Sequence, residues 1–111
     1  MKQYFVLYMA HAEDFQKVMA GMATMSEEDK KKMNDEWAAW MKDSGVVDGG
    51  KPLGKTKRVT PTDIVDAKNE IGGYSIIEAE SHDEAAKKMQ SNPHFGMIPG
   101  GWIEVMEIMP M

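Results

Sequence analysis

Residues Gln3 to Met9 read QYFVLYM, a run in which both alternating faces are apolar: Phe5, Leu7 and Met9 on one, Tyr4, Val6 and Tyr8 on the other. A strand of that kind must be covered on both sides. Three later stretches also favour extended chain. Val46 to Thr60, broken by Gly49, Gly50, Pro52 and Gly54, reads as a turn leading into an interrupted second strand, and Pro61 excludes its end from a central ladder position. Tyr74 to Ala79 follows Gly72 and Gly73 and alternates Tyr74, Ile76 and Glu78 against Ser75, Ile77 and Ala79. Trp102 to Met109 is a final alternating run after Gly100 and Gly101. Thr62 to Glu70 is polar and reads as a loop or a distorted strand arm.

Between these runs the period changes from two to about 3.6. Phe15, Val18, Met19 and Met22 predict a short helix ending near Gly21 or soon after. Ser26, followed by Glu27, Glu28 and Asp29, supplies a hydroxyl cap, a capping-box carboxylate and acids at the positive end of a helix dipole. The long helix it opens carries Met33, Trp37, Trp40 and Met41 on one stripe and stops at Gly45. A second box, Ser81 with Glu84, opens a helix bearing Ala85, Ala86 and Met89 and closed by Asn92 and Pro93.

The order βαββαβ, with right-handed crossovers, gives an α+β class: a ferredoxin-like sandwich with an antiparallel four-stranded sheet in the order 4-1-3-2 and its helices on one face. The other face would carry Tyr4, Val6, Tyr8, Tyr74 and Ile76, or their opposite-parity neighbours, as an apolar patch in a single copy. The expectation is a homodimer joined sheet to sheet, with a small-molecule pocket between the sheet and its flanking loops.

Composition narrows the functional classes. The 111 residues suit one domain over 1–111, with roughly 6,100 Å² exposed of about 18,000 Å² in the unfolded chain. Thirteen basic against eighteen acidic residues leave a net charge of −5, which argues against a nucleic-acid partner. Without cysteine there is no disulfide or thiolate site, in keeping with a cytoplasmic location. The first apolar run is too short to span a bilayer, and Glu13 and Asp14 follow it, so no membrane partner is expected.

Residues 49–56, GGKPLGKT, satisfy the phosphate-loop pattern GxxxxGK[ST] letter for letter. That motif needs a strand before it and a helix N-terminus after it, whereas here extended chain and Pro61 follow, so nucleotide hydrolysis is set aside. His11, His82 and His94 lack metal-ligand spacing, and neither a metal nor a cofactor is expected. His82 reads as an exposed polar residue in a first helical turn, while His11 and His94 sit in loops, where acid–base groups often lie. Glu78 and Glu104 are carboxylates in apolar strands, placed either to converge on a pocket or to make interface hydrogen bonds. Trp37 and Trp40 read as core anchors, with Trp37 also a candidate pocket wall. Lys55, Lys57 and Arg58 are positioned either to hold an acidic ligand or to protect a strand edge.

Four strings carry a resemblance: WAAWMKDSG at 37–45, VVDGGKPLGKTKRV at 46–59, IGGYSIIEAES at 71–81 and GGWIEVMEIMPM at 100–111. Together they resemble the YCII-related family with its DGPF-type relatives. The resemblance implies the dimeric α/β-barrel type built on a ferredoxin-like fold. It also implies small-molecule acid–base chemistry of lyase or isomerase type, since a few related proteins are lyases that use a helix histidine with an aspartate. The histidine position falls near Asn34, with Asp35 and Glu36 beside it, and the DGPF string itself is absent, the corresponding stretch from Asp63 to Lys68 reading DIVDAK.

Two readings follow. In one, the protein is a homodimer binding a small molecule, with His94, His11 and Asp35 as candidate catalytic groups and Glu78, Glu104 and Trp37 lining the pocket. In the other it is a non-catalytic regulatory or protein-interaction module. An apolar, enclosed pocket favours the first; a shallow, filled sheet face favours the second.

Overall fold

The doubly apolar run becomes strand β1 (Lys2–Met9), which takes a sheltered place with a neighbour on each edge. The computed structural model describes residues 1–110. In it β1 pairs antiparallel with β5 (Ile71–Ala79) on one side and β6 (Trp102–Glu107) on the other, and β2 (Val46–Asp48) completes the sheet beyond β5. The order β2-β5-β1-β6 is the one the sequence predicts, and the α+β class with an antiparallel four-stranded sheet is compatible with a ferredoxin-like fold.

Register decides which side of each strand is inside. Tyr4 lies opposite Ile77, Val6 opposite both Ser75 and Val105, and Tyr8 opposite Ile103. Directly opposed residues share a face, so this set forms one surface. Helices α2 (Glu27–Lys42) and α3 (His82–Met89) pack on it: Ala85 and Met89 join Tyr4, Val6, Tyr8, Ile77 and Ala79 in the core, with Trp37 and Trp40 against them. Phe5 opposes Ile76 and Met106, and Leu7 opposes Tyr74 and Glu104, on the other face. None of these belongs to the packed core. The expected bare set therefore needs a correction: Tyr74 and Ile76 are on the uncovered face, but Tyr4, Val6 and Tyr8 are under the helices.

The helix ends follow their sequence signals. The Asp29 N–H donates to Ser26 Oγ at 3.1 Å, and the Glu84 N–H donates to Ser81 Oγ at 3.1 Å. Gly45, at φ +69°, turns the chain out of α2 into β2. Helix α1 (Ala12–Ala23) stands at the end of the sheet and touches it through Phe15, whose ring occupies the space a Cβ on Gly72 would need.

Residues 46–60 do not form one interrupted strand. Only β2 joins the sheet; β3 (Thr56–Thr60) pairs with β4 (Asp63–Ala67) in a separate two-stranded arm whose turn holds Pro61. Lys57 Nζ lies 2.6 Å from Asp66 Oδ1 across the arm, and near its tip Val59 and Ile64 are paired yet 70% and 65% exposed. His94 is also not in a loop. It opens a single helical turn, α4 (His94–Met97), and is buried. The chain exposes 8020 Å², about 1,900 Å² more than a compact monomer of this mass. Its radius of gyration is 15.5 Å, where about 13 Å is usual for this length.

Candidate ligand-binding cleft

The arm leaves and rejoins the sheet at one end, and a cleft of about 1190 Å³ opens there between α1, α2, the 49–57 segment and the end of β5. One wall is a pinned loop. Gly50, at φ +69°, donates its N–H to Asp48 Oδ1 at 2.8 Å, and a Cβ there would overlap the Tyr74 carbonyl oxygen. Pro52 bridges to Gly73, and the Leu53 N–H donates to the Gly72 carbonyl at 2.9 Å. The helix walls are mostly apolar, built from Phe15, Val18 and Met22 on α1 and Met33 and Trp37 on α2, with Gln16 and Asn34 as their polar members.

At the floor is a buried polar chain whose direction follows from hydrogen counting. Ser75 has one hydroxyl hydrogen, which it donates to the Gly49 carbonyl at 3.0 Å. The Tyr8 hydroxyl, 2.9 Å from Ser75 Oγ, must then be the donor to it, and Asn92 Nδ2 donates to the Tyr8 oxygen at 3.5 Å. Burial pushes the Tyr8 phenol above its ordinary value, opposed by its hydrogen bonds with Ser75 and Asn92. Tyr8 is thus a neutral hydrogen-bonding group near neutral pH. Its ring meets Trp37 edge-on at 5.3 Å, and Trp37 Nε1 donates to Met97 Sδ at 2.8 Å.

Of the residues singled out from sequence, His94, Trp37, Lys55 and Lys57 line this cleft, and Arg58 does not. His94 Nε2 lies 2.8 Å from the Met9 carbonyl. A carbonyl only accepts, so Nε2 carries the hydrogen. The His94 backbone N–H donates to Asn92 Oδ1 at 2.8 Å, which ties α4 to the end of β1.

The remaining candidates lie elsewhere. His11 is exposed, with Nδ1 2.7 Å from Glu70 Oε2 and its ring 5.1 Å from Trp102. Asp35 is exposed on α2, one residue past Asn34, which does line the cleft. Glu78 and Glu104 lie on the uncovered sheet face, opposite Gln3 and Leu7 respectively. Those partners are four positions apart on β1, about 13 Å of strand, so the two carboxylates do not converge within one chain. Glu104 accepts instead from Trp102 Nε1 at 2.9 Å. His82 is exposed, as expected, but its Nε2 donates to the Val105 carbonyl at 2.8 Å and its ring stacks on Tyr4.

Sequence reasoning missed Tyr8, Ser75 and Asn92 as a unit. A signal existed in Ser75, the one hydroxyl on the apolar parity of its strand, but only the β1–β5 register shows that Tyr8 reaches it. The GGKPLGKT string runs from β2 through the pinned loop into β3, so no helix N-terminus follows it to cradle phosphate. Among the described residues, no group of three or more His, Cys, Asp and Glu side chains is arranged to hold a metal ion, and no helix is long and apolar enough to cross a membrane.

No protein-family model matches the chain, and no curated protein matches it.

Proposed function

We propose that the chain is a homodimeric small-molecule-binding protein of the YCII-related, dimeric α/β-barrel type, with its ligand in the cleft between α1, α2 and the 49–57 segment. The observation that carries this reading is the cleft itself, mostly apolar on its helix walls and closed below by the Tyr8–Ser75–Gly49 chain. Such a combination of a largely apolar lining with a few fixed polar groups is what small-molecule sites share. The polar chain, paired within itself, fixes Tyr8 at the floor; the methionines and Trp37 supply adaptable contact area.

The dimer rests on area. The uncovered face presents Phe5, Leu7, Tyr74, Ile76 and Met106 without a packed partner. The chain as a whole, its β3–β4 arm included, exposes about 1,900 Å² more than a compact monomer of its mass, and a stable interface uses roughly 800 Å² per partner. A second copy laid sheet to sheet buries this face and forms the barrel. Chemistry of lyase or isomerase type would run through His94 Nδ1, the ring nitrogen not committed to Met9.

Native mass spectrometry of the protein as purified tests both parts. The expected result is a dimer that retains a small molecule, with the ligand lost and the dimer kept in Trp37→Ala. A ligand-free monomer in the wild type would overturn the reading.

A further inference from the structure

The cleft mouth is unlike the rest of the protein in charge. Lys51, Lys55, Lys57 and Lys68 line it against a single carboxylate, Asp66, and Asp66 is taken up by Lys57 at 2.6 Å. Among the described residues Lys51, Lys55 and Lys68 have no carboxylate within ion-pair distance. These unpaired cations gather at one opening of a protein whose net charge is −5. Nor is their carrier loose: the Pro52–Gly73 bridge and the Leu53 N–H bond to Gly72 hold the loop bearing Lys51 and Lys55 along the edge of β5. Behind the lysines, the helix walls formed by Phe15, Met22 and Trp37 are apolar.

A cationic mouth on an apolar cleft selects a molecule with both properties. The geometry points to an amphipathic anion as the ligand: an aromatic or alkyl body in the cleft, with one carboxylate-like group held at the mouth by Lys51, Lys55 and Lys68. This rests on the cleft being a binding site and adds the class of molecule it takes. The lysines are solvent-exposed, so their attraction is screened by salt, and it sets ligand preference more than total affinity. The same cations steer an anion to this opening, away from the otherwise acidic surface.

Two fluorescent probes with the same aromatic body separate charge from apolar contact: anilinonaphthalene sulfonate and its uncharged parent, phenylnaphthylamine. In low salt the sulfonate should bind the wild type about tenfold more tightly than the neutral probe, given three exposed cations of modest individual effect. In the triple variant Lys51→Gln, Lys55→Gln, Lys68→Gln that preference should vanish while the neutral probe binds as before. Met22→Glu, in the α1 wall, should abolish both and so place the probes in the cleft. Equal affinity for the two probes in the wild type, or a preference that survives the triple variant, overturns the anion inference and leaves the cleft reading standing. No binding of either probe, or binding that persists in Met22→Glu, removes the cleft reading and this inference with it.

Discussion

Val6 and Leu7 are neighbours in β1 with similar side chains, yet Val6 has no exposed surface and packs among α2, α3 and the flanking strands, while Leu7 lies half-buried with no helix against it. One face of the sheet has been finished within the chain. The other, apolar along Phe5 and Leu7 but carrying Glu78 and Glu104 on the flanking strands, has not, and the same strand serves both. The contrast teaches that in this molecule hydrophobic patterning alone does not say what covers a surface; the number of helices does. Two helices pack on one side and α1 guards an end, so the second side carries no helix of the packed core.

Placing a charge on each face in turn sharpens the comparison. Val6→Asp buries a carboxylate in the core, where the one polar cross-strand neighbour, Ser75, already donates its hydroxyl hydrogen to the Gly49 carbonyl. The cost is several kcal/mol, against a total stability of about 5–15 kcal/mol for a typical domain. The expected outcome is loss of the cooperative thermal transition seen by circular dichroism. Leu7→Asp should leave the secondary structure intact and convert dimer to monomer, read by light scattering after size exclusion. Collapse of the fold in Leu7→Asp, or an intact dimer, would break the distinction between the faces.

The pinned end of the molecule gives a smaller effect. Gly50→Ala places a methyl group against the Tyr74 carbonyl oxygen at a positive φ and should lower stability by roughly 2 kcal/mol. If the loop is as firmly held as its contacts suggest, the variant also opens the cleft and weakens binding of the neutral probe. Unchanged melting would show that the loop gives way freely.

The smallest effect concerns Tyr8. Tyr8→Phe removes one buried donor to Ser75 and should cost about 1 kcal/mol near neutral pH. Its pH dependence has a definite sign. Because burial holds the folded-state value above the ordinary 10.0, the stability this group contributes is fully present below about pH 10 and is lost as pH rises through the folded value. Urea titrations should therefore show wild-type stability falling relative to Tyr8→Phe above pH 10, with a constant difference below it.

The helices were legible because their signals are local. Ser26 and Ser81 announce their own caps, and Gly45 its own stop, from a handful of adjacent residues. Strand order followed from the sequence of elements and the handedness of crossovers. Parity did not, because both faces of β1 are apolar and alternation cannot choose between them; only the pairing of Val6 with Ser75 and Val105 does so. The β3–β4 arm was half-seen, since its residues alternate without an apolar face that predicts a separate ribbon. The burial of His94 depends on a carbonyl 85 residues away in sequence, at Met9. The cleft draws its lining from both ends of the chain, so its members are visible individually and their meeting is not.

Sedimentation equilibrium of the wild-type protein tests the central claim, that one copy leaves a sheet face to be covered by another. The account predicts a mass of twice 12.4 kDa across micromolar concentrations. A well-folded particle of 12.4 kDa at every concentration would contradict it.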